Sequence, residues 1–202
     1  MQYIIATHNA KKLKELSRIL VPLGIEAVTD RDLGIETTEV EENGKTFEEN
    51  AYLKAASACK ESGLPAVADD SGLCVDALDG APGLYSARYA GEGATDEEKI
   101  EKILTALADV PKEQRTARFV SAICCVFPDG KTLYARGECE GEIAFEPSGN
   151  GGFGYDPVFV TNGKSFADMT AEEKDAVSHR GRSLRAFSQV LKTYLEESAH
   201  DQ

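Results

Sequence analysis

The sequence predicts a mixed α/β domain, and three observations carry that prediction. A short apolar run over residues 2–6 passes through a polar loop into a helix-patterned segment over 10–21. Capped, amphipathic stretches then alternate with β-type runs. Finally, two long β-type runs over 115–127 and 132–143, joined by Pro128-Asp129-Gly130-Lys131, form a hairpin pattern. That places an antiparallel pair inside an otherwise α/β order.

The elements can be justified in turn. Over 10–21, Leu13, Leu16, Ile19 and Leu20 fall at helical spacing, with Lys11, Lys12, Lys14 and Arg18 around the rest. The loop before it reads Thr7-His8-Asn9-Ala10-Lys11-Lys12. A strand running through a short loop into a helix N-terminus is a natural phosphate site, because unpaired N–H groups and the helix dipole face it. Asn9 is equally suited to be an ordinary N-cap. Glu36, Glu39, Glu41 and Glu42 make an acidic loop, which is either solvated or a source of oxygen ligands for a hard cation. Thr46 with Glu49 has the form of a capping box, opening a helix through Leu53, Ala55 and Ala58 to a stop at Gly63.

The chain is organised around Ala-Val-Ala-Asp-Asp-Ser-Gly-Leu-Cys-Val-Asp-Ala-Leu at 66–78. An apolar strand ends there in two adjacent carboxylates, a hydroxyl and a glycine. Neighbouring strand residues point to opposite faces, so Asp69 and Asp70 serve one site in the same way only if the chain bends. Gly72 offers that bend, so that one carboxylate faces a cleft while its neighbour holds the loop or a second ligand; the plainer alternative is a strand followed by an Asp-Ser-Gly turn. Thr95 with Glu98 caps a second helix over 95–108, with Ile100, Ile103, Leu104 and Leu107 inward. Residues 148–159 are glycine-rich, with Phe153 and Tyr155 set among Gly149, Gly151, Gly152 and Gly154. Such a backbone is mobile and closely approachable, and its aromatics suit stacking on a planar base. Thr170 opens a further capping box ahead of Ser178-His179-Arg180, and a terminal amphipathic helix follows through Leu184, Phe187, Leu191 and Tyr194. Taken alone, His179 reads best as a structural histidine.

Bulk properties bound the rest. The chain of 202 residues, 42% hydrophobic and 28% charged, suits one domain, here expected in two lobes. A net charge of −13 opposes general nucleic-acid affinity but not a small polyanion held by a local basic cluster or a metal. No apolar run reaches the roughly 20 residues that span a bilayer. The start of the chain lacks the basic lead of a signal peptide, so a cytoplasmic location is expected. Five cysteines without Cys-x-x-Cys spacing argue against disulfide or metal-thiolate frameworks.

With these motifs in hand, the chain resembles the inosine/xanthosine triphosphate pyrophosphatase family over almost its whole length. The resemblance rests on Thr-His-Asn-Ala-Lys-Lys (7–12), Glu-Asn-Ala (49–51), Ala-Asp-Asp-Ser-Gly-Leu (68–73), Pro-Gly-Leu-Tyr-Ser-Ala-Arg-Tyr-Ala-Gly (82–91), Gly-Phe-Gly-Tyr-Asp-Pro-Val-Phe (152–159), Ser-Phe-Ala-Asp-Met (165–169) and Ser-His-Arg (178–180). Asp168 stands where glutamate is usual and Asp175 where asparagine is common. The resemblance implies a long curved central sheet flanked by helices, two lobes with a cleft, and a single domain over 1–202. It also implies a cytosolic, Mg²⁺-dependent homodimer that hydrolyses ITP, dITP and XTP to the monophosphate and pyrophosphate. By the same resemblance Thr7, His8, Asn9, Ala10, Lys11 and Lys12 cradle the triphosphate, with Asn9 and Lys12 as direct ligands. Glu41 and Asp70 hold Mg²⁺, and Asp70 is also the proton acceptor. Ser71 touches substrate; Phe153, Gly154, Tyr155 and Asp156 form the base pocket; Lys174, His179 and Arg180 complete the site. A related septum-protein family acting on dTTP or UTP lacks the Phe-Gly-Tyr-Asp and Ser-His-Arg pair. A non-catalytic nucleotide sensor would not need both carboxylates.

Overall fold

The computed structural model describes residues 1–200. Its elements run β1 (Gln2–Ile5), α1 (Ala10–Leu20), β2 (Glu26–Val28), the short α2 (Asp30–Leu33), α3 (Phe47–Ser62), β3 (Ala66–Val75), α4 (Asp96–Ala106), β4 (Thr116–Val126), β5 (Thr132–Ile143), β6 (Phe159–Thr161), β7 (Lys164–Ser165), α5 (Ala171–Val177) and α6 (His179–His200). The seven strands form one sheet in the order β2-β1-β3-β4-β5-β6-β7. Mixed α/β architecture is therefore what the chain adopts.

Contacts group the chain into two units. The first comprises Met1–Asp70, Ala122–Arg136 and the chain from Ser183 onward; the second comprises Ser71–Ser121 and Gly137–Arg182. In the first unit β1 pairs parallel with β2, Ile4 opposite Val28, and with β3, Ile5 opposite Val67. Parallel strands buried on two faces read as unbroken apolar runs, as Tyr3-Ile4-Ile5 and Ala66-Val67-Ala68 do. Alternation then sorts the two faces. Tyr3, Ile5 and Val67 pack with Leu16 and Leu20 of α1 and Phe187 and Leu191 of α6. Ile4, Ala66 and Ala68 pack with Ala51, Ala55 and Ala58 of α3.

The second unit has its own core of Leu73, Val75, Ile103, Leu107, Phe119, Phe159 and Phe166. Here β6 pairs antiparallel with β5, Ile143 opposite Phe159, and with β7. Arg115 is buried and ties several backbone ends together. Its Nε donates to the Ile143 carbonyl at 3.0 Å, Nη1 to those of Leu107 and Val110 at 2.8 and 3.1 Å, and Nη2 to Ala144 at 3.2 Å. Burial pushes its guanidinium below the usual arginine range.

Local signals are realised with two corrections. Thr95 with Glu98, and Thr170 with Glu173, form complete capping boxes. At α3 the box is only half closed: Thr46 accepts from the Glu49 N–H, but the Glu49 carboxylate accepts from the Lys45 N–H instead of from Thr46. The larger correction is at the central stretch. No turn follows Asp69-Asp70-Ser71-Gly72; β3 continues to Val75. β3 is hydrogen-bonded between β1 and β4, and sheet pairing of that kind outweighs the turn preference of Asp, Ser and Gly.

Candidate active site

In the first unit the sequence builds a strand–loop–helix at the carboxyl end of β1. The Asn9 side chain accepts from the N–H groups of Lys11 and Lys12 at 3.0 and 3.2 Å, and the Thr7 hydroxyl accepts from the Asn9 N–H at 3.1 Å. Asn9 is thus the N-cap of α1, with its oxygen committed and its amide NH₂ left to donate. Lys11 and Lys12 spend their amides on that cap. A phosphate here would be met mainly by side-chain donors of Thr7, Asn9, Lys11 and Lys12, with the Ala10 N–H beside them.

The Ala6 N–H donates to the Val67 carbonyl at 2.8 Å, so β1 and β3 stay paired to the point where the loop begins. Asp69 and Asp70 therefore lie on β3 beside the Thr7–Lys12 loop, just past the carboxyl end of β1. Ligands of parallel α/β sheets bind at such strand ends.

The two carboxylates part company there. Asp69, only 3% exposed, forms an ion pair with Lys12 at 2.9 Å. By the alternation of the strand, Asp69 shares the α1 face with Val67, and Asp70 shares the α3 face with Ala66 and Ala68. Asp70 Oδ2 is shielded from solvent. The α3 face also carries a cavity of about 430 Å³ whose lining includes Thr7, His8, Asp30, Thr37, Glu42 and Lys54. Lys54 Nζ lies 3.3 Å from Glu42, and His8 Nε2 lies 3.8 Å from Asp30. Hydrogen bonds from Thr37 and the Arg31 N–H hold the Asp30 carboxyl below the usual range, against its burial. Sequence reasoning missed Lys54, although it lies one helical turn beyond the Glu-Asn-Ala motif.

Glu41 is exposed in the acidic loop, which is fastened ahead of α3 by the Gly44 N–H donating to buried Asn50 at 2.8 Å. Among the described residues, no group of three or more His, Cys, Asp or Glu side chains is placed to hold a metal. Two hard carboxylates nonetheless fit the usual protein share of a Mg²⁺ shell, the rest being phosphate oxygens and water.

In the second unit the glycine-rich segment is pinned rather than loose. Ser148 N–H donates to Pro157 O at 2.8 Å, Gly151 N–H to Ala167 O at 3.0 Å, and Gly154 N–H to the Asp96 carboxylate at 2.8 Å. Phe153 is 59% exposed. Its N–H donates to Asp156, which is buried and paired with Lys174 at 2.5 Å. The Lys174 ammonium also sits 4.9 Å from the centre of the Phe153 ring. Tyr155 turns its side chain inward: it is buried, and its hydroxyl donates to the Ser86 carbonyl at 2.7 Å. Burial raises its phenol above the ordinary range.

His179 opens α6, stacked on Phe119 with ring centres 4.6 Å apart and parallel to Phe166 at 6.3 Å. Arg180 follows, with Nη2 shielded from solvent. Asp168 accepts from the hydroxyls of Ser148 and Ser165, clamping the glycine-rich segment to the 165–169 motif. No disulfide joins the five cysteines. Burial pushes the Cys124 thiol up to about 12.

The sequence profile of the Ham1 family matches residues 3–190. The chain belongs to the Ham1 family. It is 49% identical to a dITP/XTP pyrophosphatase of Shigella flexneri over 193 residues, covering 94% of this chain and 97% of that protein. A dITP/XTP pyrophosphatase of Mesorhizobium japonicum is 48% identical over 203 residues, covering 93% and 91% of the two chains. Among solved structures, a HAM1 protein from Coxiella burnetii superposes with a TM-score of 0.90 at 42% identity, covering 96% of this chain and 99% of that one. A nucleoside-triphosphatase / dITP/XTP pyrophosphatase from Mycobacterium abscessus gives 0.81 at 47% identity, covering 93% and 97%. These two structures share the mixed α/β fold described above.

Proposed function

We propose that this chain is a nucleoside triphosphate pyrophosphatase that hydrolyses dITP, ITP and XTP to the monophosphate and pyrophosphate. The observation that carries the reading is the carboxyl end of β1, where the cationic Thr7–Lys12 loop meets the Asp69–Asp70 pair on β3. Phosphoryl chemistry asks for this combination of cations for the chain of phosphates and a carboxylate for water. Thr7, Asn9, Lys11 and Lys12 bind the triphosphate. Asp69 holds Lys12, and Asp70, on the opposite face of the strand, takes the proton of the attacking water. As the water oxygen bonds to the α-phosphorus, the bridge to the β-phosphate breaks and pyrophosphate leaves. Glu41 and Asp70 would hold Mg²⁺, which when bound neutralises charge on the phosphate oxygens.

The purine stacks on exposed Phe153. The Arg180 guanidinium, always a donor, pairs with a 6-keto oxygen and is mismatched by the 6-amino group of adenine. Tyr155 contributes by fixing the backbone of its loop.

Pyrophosphate release from ITP, dITP, XTP, GTP, ATP, dTTP and UTP with Mg²⁺ tests the reading. Preference for the first three is expected; equal turnover of ATP would overturn it. The family resemblance supports a cytoplasmic homodimer, tested by light scattering and by fractionation. No helix among the described residues is long and apolar enough to cross a membrane.

A further inference from the structure

We propose that Asp96 is a positioning residue for base recognition: its carboxylate holds the apex of the Phe153–Asp156 loop and so fixes where Phe153 stands. This deepens the reading above and rests on it for the identity of the ligand.

Asp96 is the first residue of α4, and the capping box of that helix closes without it. Thr95 accepts from the Glu98 N–H at 3.2 Å, and Glu98 accepts from the Thr95 N–H at 2.7 Å. Asp96 turns its two oxygens elsewhere. Oδ1 meets Lys99 Nζ at 3.0 Å, and Oδ2 accepts the Gly154 N–H at 2.8 Å. Lys99 is itself largely buried, with 13% of its side chain exposed. The carboxylate is thus oriented from one side and charged toward the other. The Asp96 side chain is 46% exposed; what burial it has works against ionisation, but the Gly154 N–H and Lys99 win and hold it below the usual carboxylate range.

The target of this bond is the tip of the loop. Gly152 and Gly154 both have left-handed backbones, with φ of +70° and +59°, so the chain doubles back around Phe153. The flanks of the segment are held at Ser148, Gly151, Tyr155 and Asp156. The Gly154 N–H is the peptide immediately after Phe153, and Asp96 is what it donates to. A charge-assisted bond there is about twice as strong as a neutral one and is directional. It restricts the plane of the Phe153–Gly154 peptide, and through it the ring on which a purine stacks.

The test uses Asp96→Ala, Asp96→Asn and Thr95→Ala in the full chain. Two readouts are taken: amide exchange of residues 152–156 in the nucleotide-free protein, and kinetics with ITP beside competition by inorganic tripolyphosphate, which has no base. For Asp96→Ala we expect faster exchange over 152–156 and a KM for ITP raised about tenfold, the scale of one charged hydrogen bond. Tripolyphosphate inhibition should be unchanged. Asp96→Asn keeps an acceptor and should recover most of the KM. Thr95→Ala should lower the unfolding temperature and leave KM alone. Faster exchange with an unchanged KM for ITP would overturn the positioning role and leave Asp96 structural. Equal loss of ITP and tripolyphosphate binding would also overturn it. Failure of the wild-type chain to release pyrophosphate would overturn the proposed activity instead, and the exchange readout would still decide whether Asp96 holds the loop.

Discussion

Lys12 and Asp69 form a salt bridge of 2.9 Å between the first turn of α1 and the first half of β3, with Asp69 3% and Lys12 28% exposed. The lysine that the sequence assigns to phosphate is therefore aimed by a buried carboxylate. Removing either partner of a buried pair costs about 3 kcal/mol. Lys12→Ala should lower stability by that order and raise KM about equally for every nucleotide, because phosphate contacts do not see the base. The double variant Lys12→Met with Asp69→Asn should regain most of the stability and none of the affinity. Denaturant melts with kinetics on ITP and GTP check this; a KM effect confined to ITP contradicts it.

Asp70 stands on the opposite face from Asp69, with Oδ2 shielded from solvent. Asp70→Asn keeps the shape and removes the acceptor. Turnover should fall by about two to four powers of ten, while the melting temperature stays or rises, since sites carrying buried charge are often stabilised by its loss. Near-normal Mg²⁺-dependent turnover in this variant would hand the role of base to another group.

Gly152 lies where no side chain fits. A Cβ built on it would come 2.0 Å from Asp156 Oδ2, and its φ is +70°. Gly152→Ala should cost about 2 kcal/mol from the left-handed backbone alone. It should also displace Asp156 from Lys174, which a loss of ITP binding with intact tripolyphosphate binding would report. Calorimetry and a competition assay are sufficient.

Acid should loosen the glycine-rich segment at a predictable point. Hydrogen bonds from Ser148 and Ser165 hold the Asp168 carboxyl below the usual range. A carboxyl lowered in the folded state stabilises above its unfolded pKa, and that contribution is lost as pH falls through the folded value. The loss therefore begins below about pH 4. Asp168→Asn should flatten the fall of melting temperature in that window and leave neutral pH little changed.

Features set by near neighbours were legible in the sequence. Asn9 caps α1, Thr95 and Thr170 close capping boxes, and the 128–131 turn joins β4 to β5. Each follows from chemistry within four residues. Features set by distant partners were not. The Asp-Ser-Gly sequence favours a turn, yet β3 continues through it between β1 and β4. Tyr155 resembles its neighbour Phe153 in sequence, but its hydroxyl finds Ser86 and draws it inward. Likewise the chemical types at the site could be read, while the partners Asp69 of Lys12 and Asp96 of Gly154 could not. Those pairs exist only once the chain has returned on itself.

Arg115 has a consequence of another kind. Its hydrogen bonds go to the carbonyls of Leu107, Val110, Ile143 and Ala144, and its guanidinium lies 4.0 Å from the Phe145 ring centre. The countercharge for this cation is thus spread over peptide dipoles and a π face. Mobile ions screen exposed salt bridges but do not reach a buried array of this sort. Strong brine should weaken the surface bridge of Arg118 with Asp76 and leave the Arg115 junction at full strength. A lysine there would keep the charge while losing the planar fork that reaches four carbonyls in different directions.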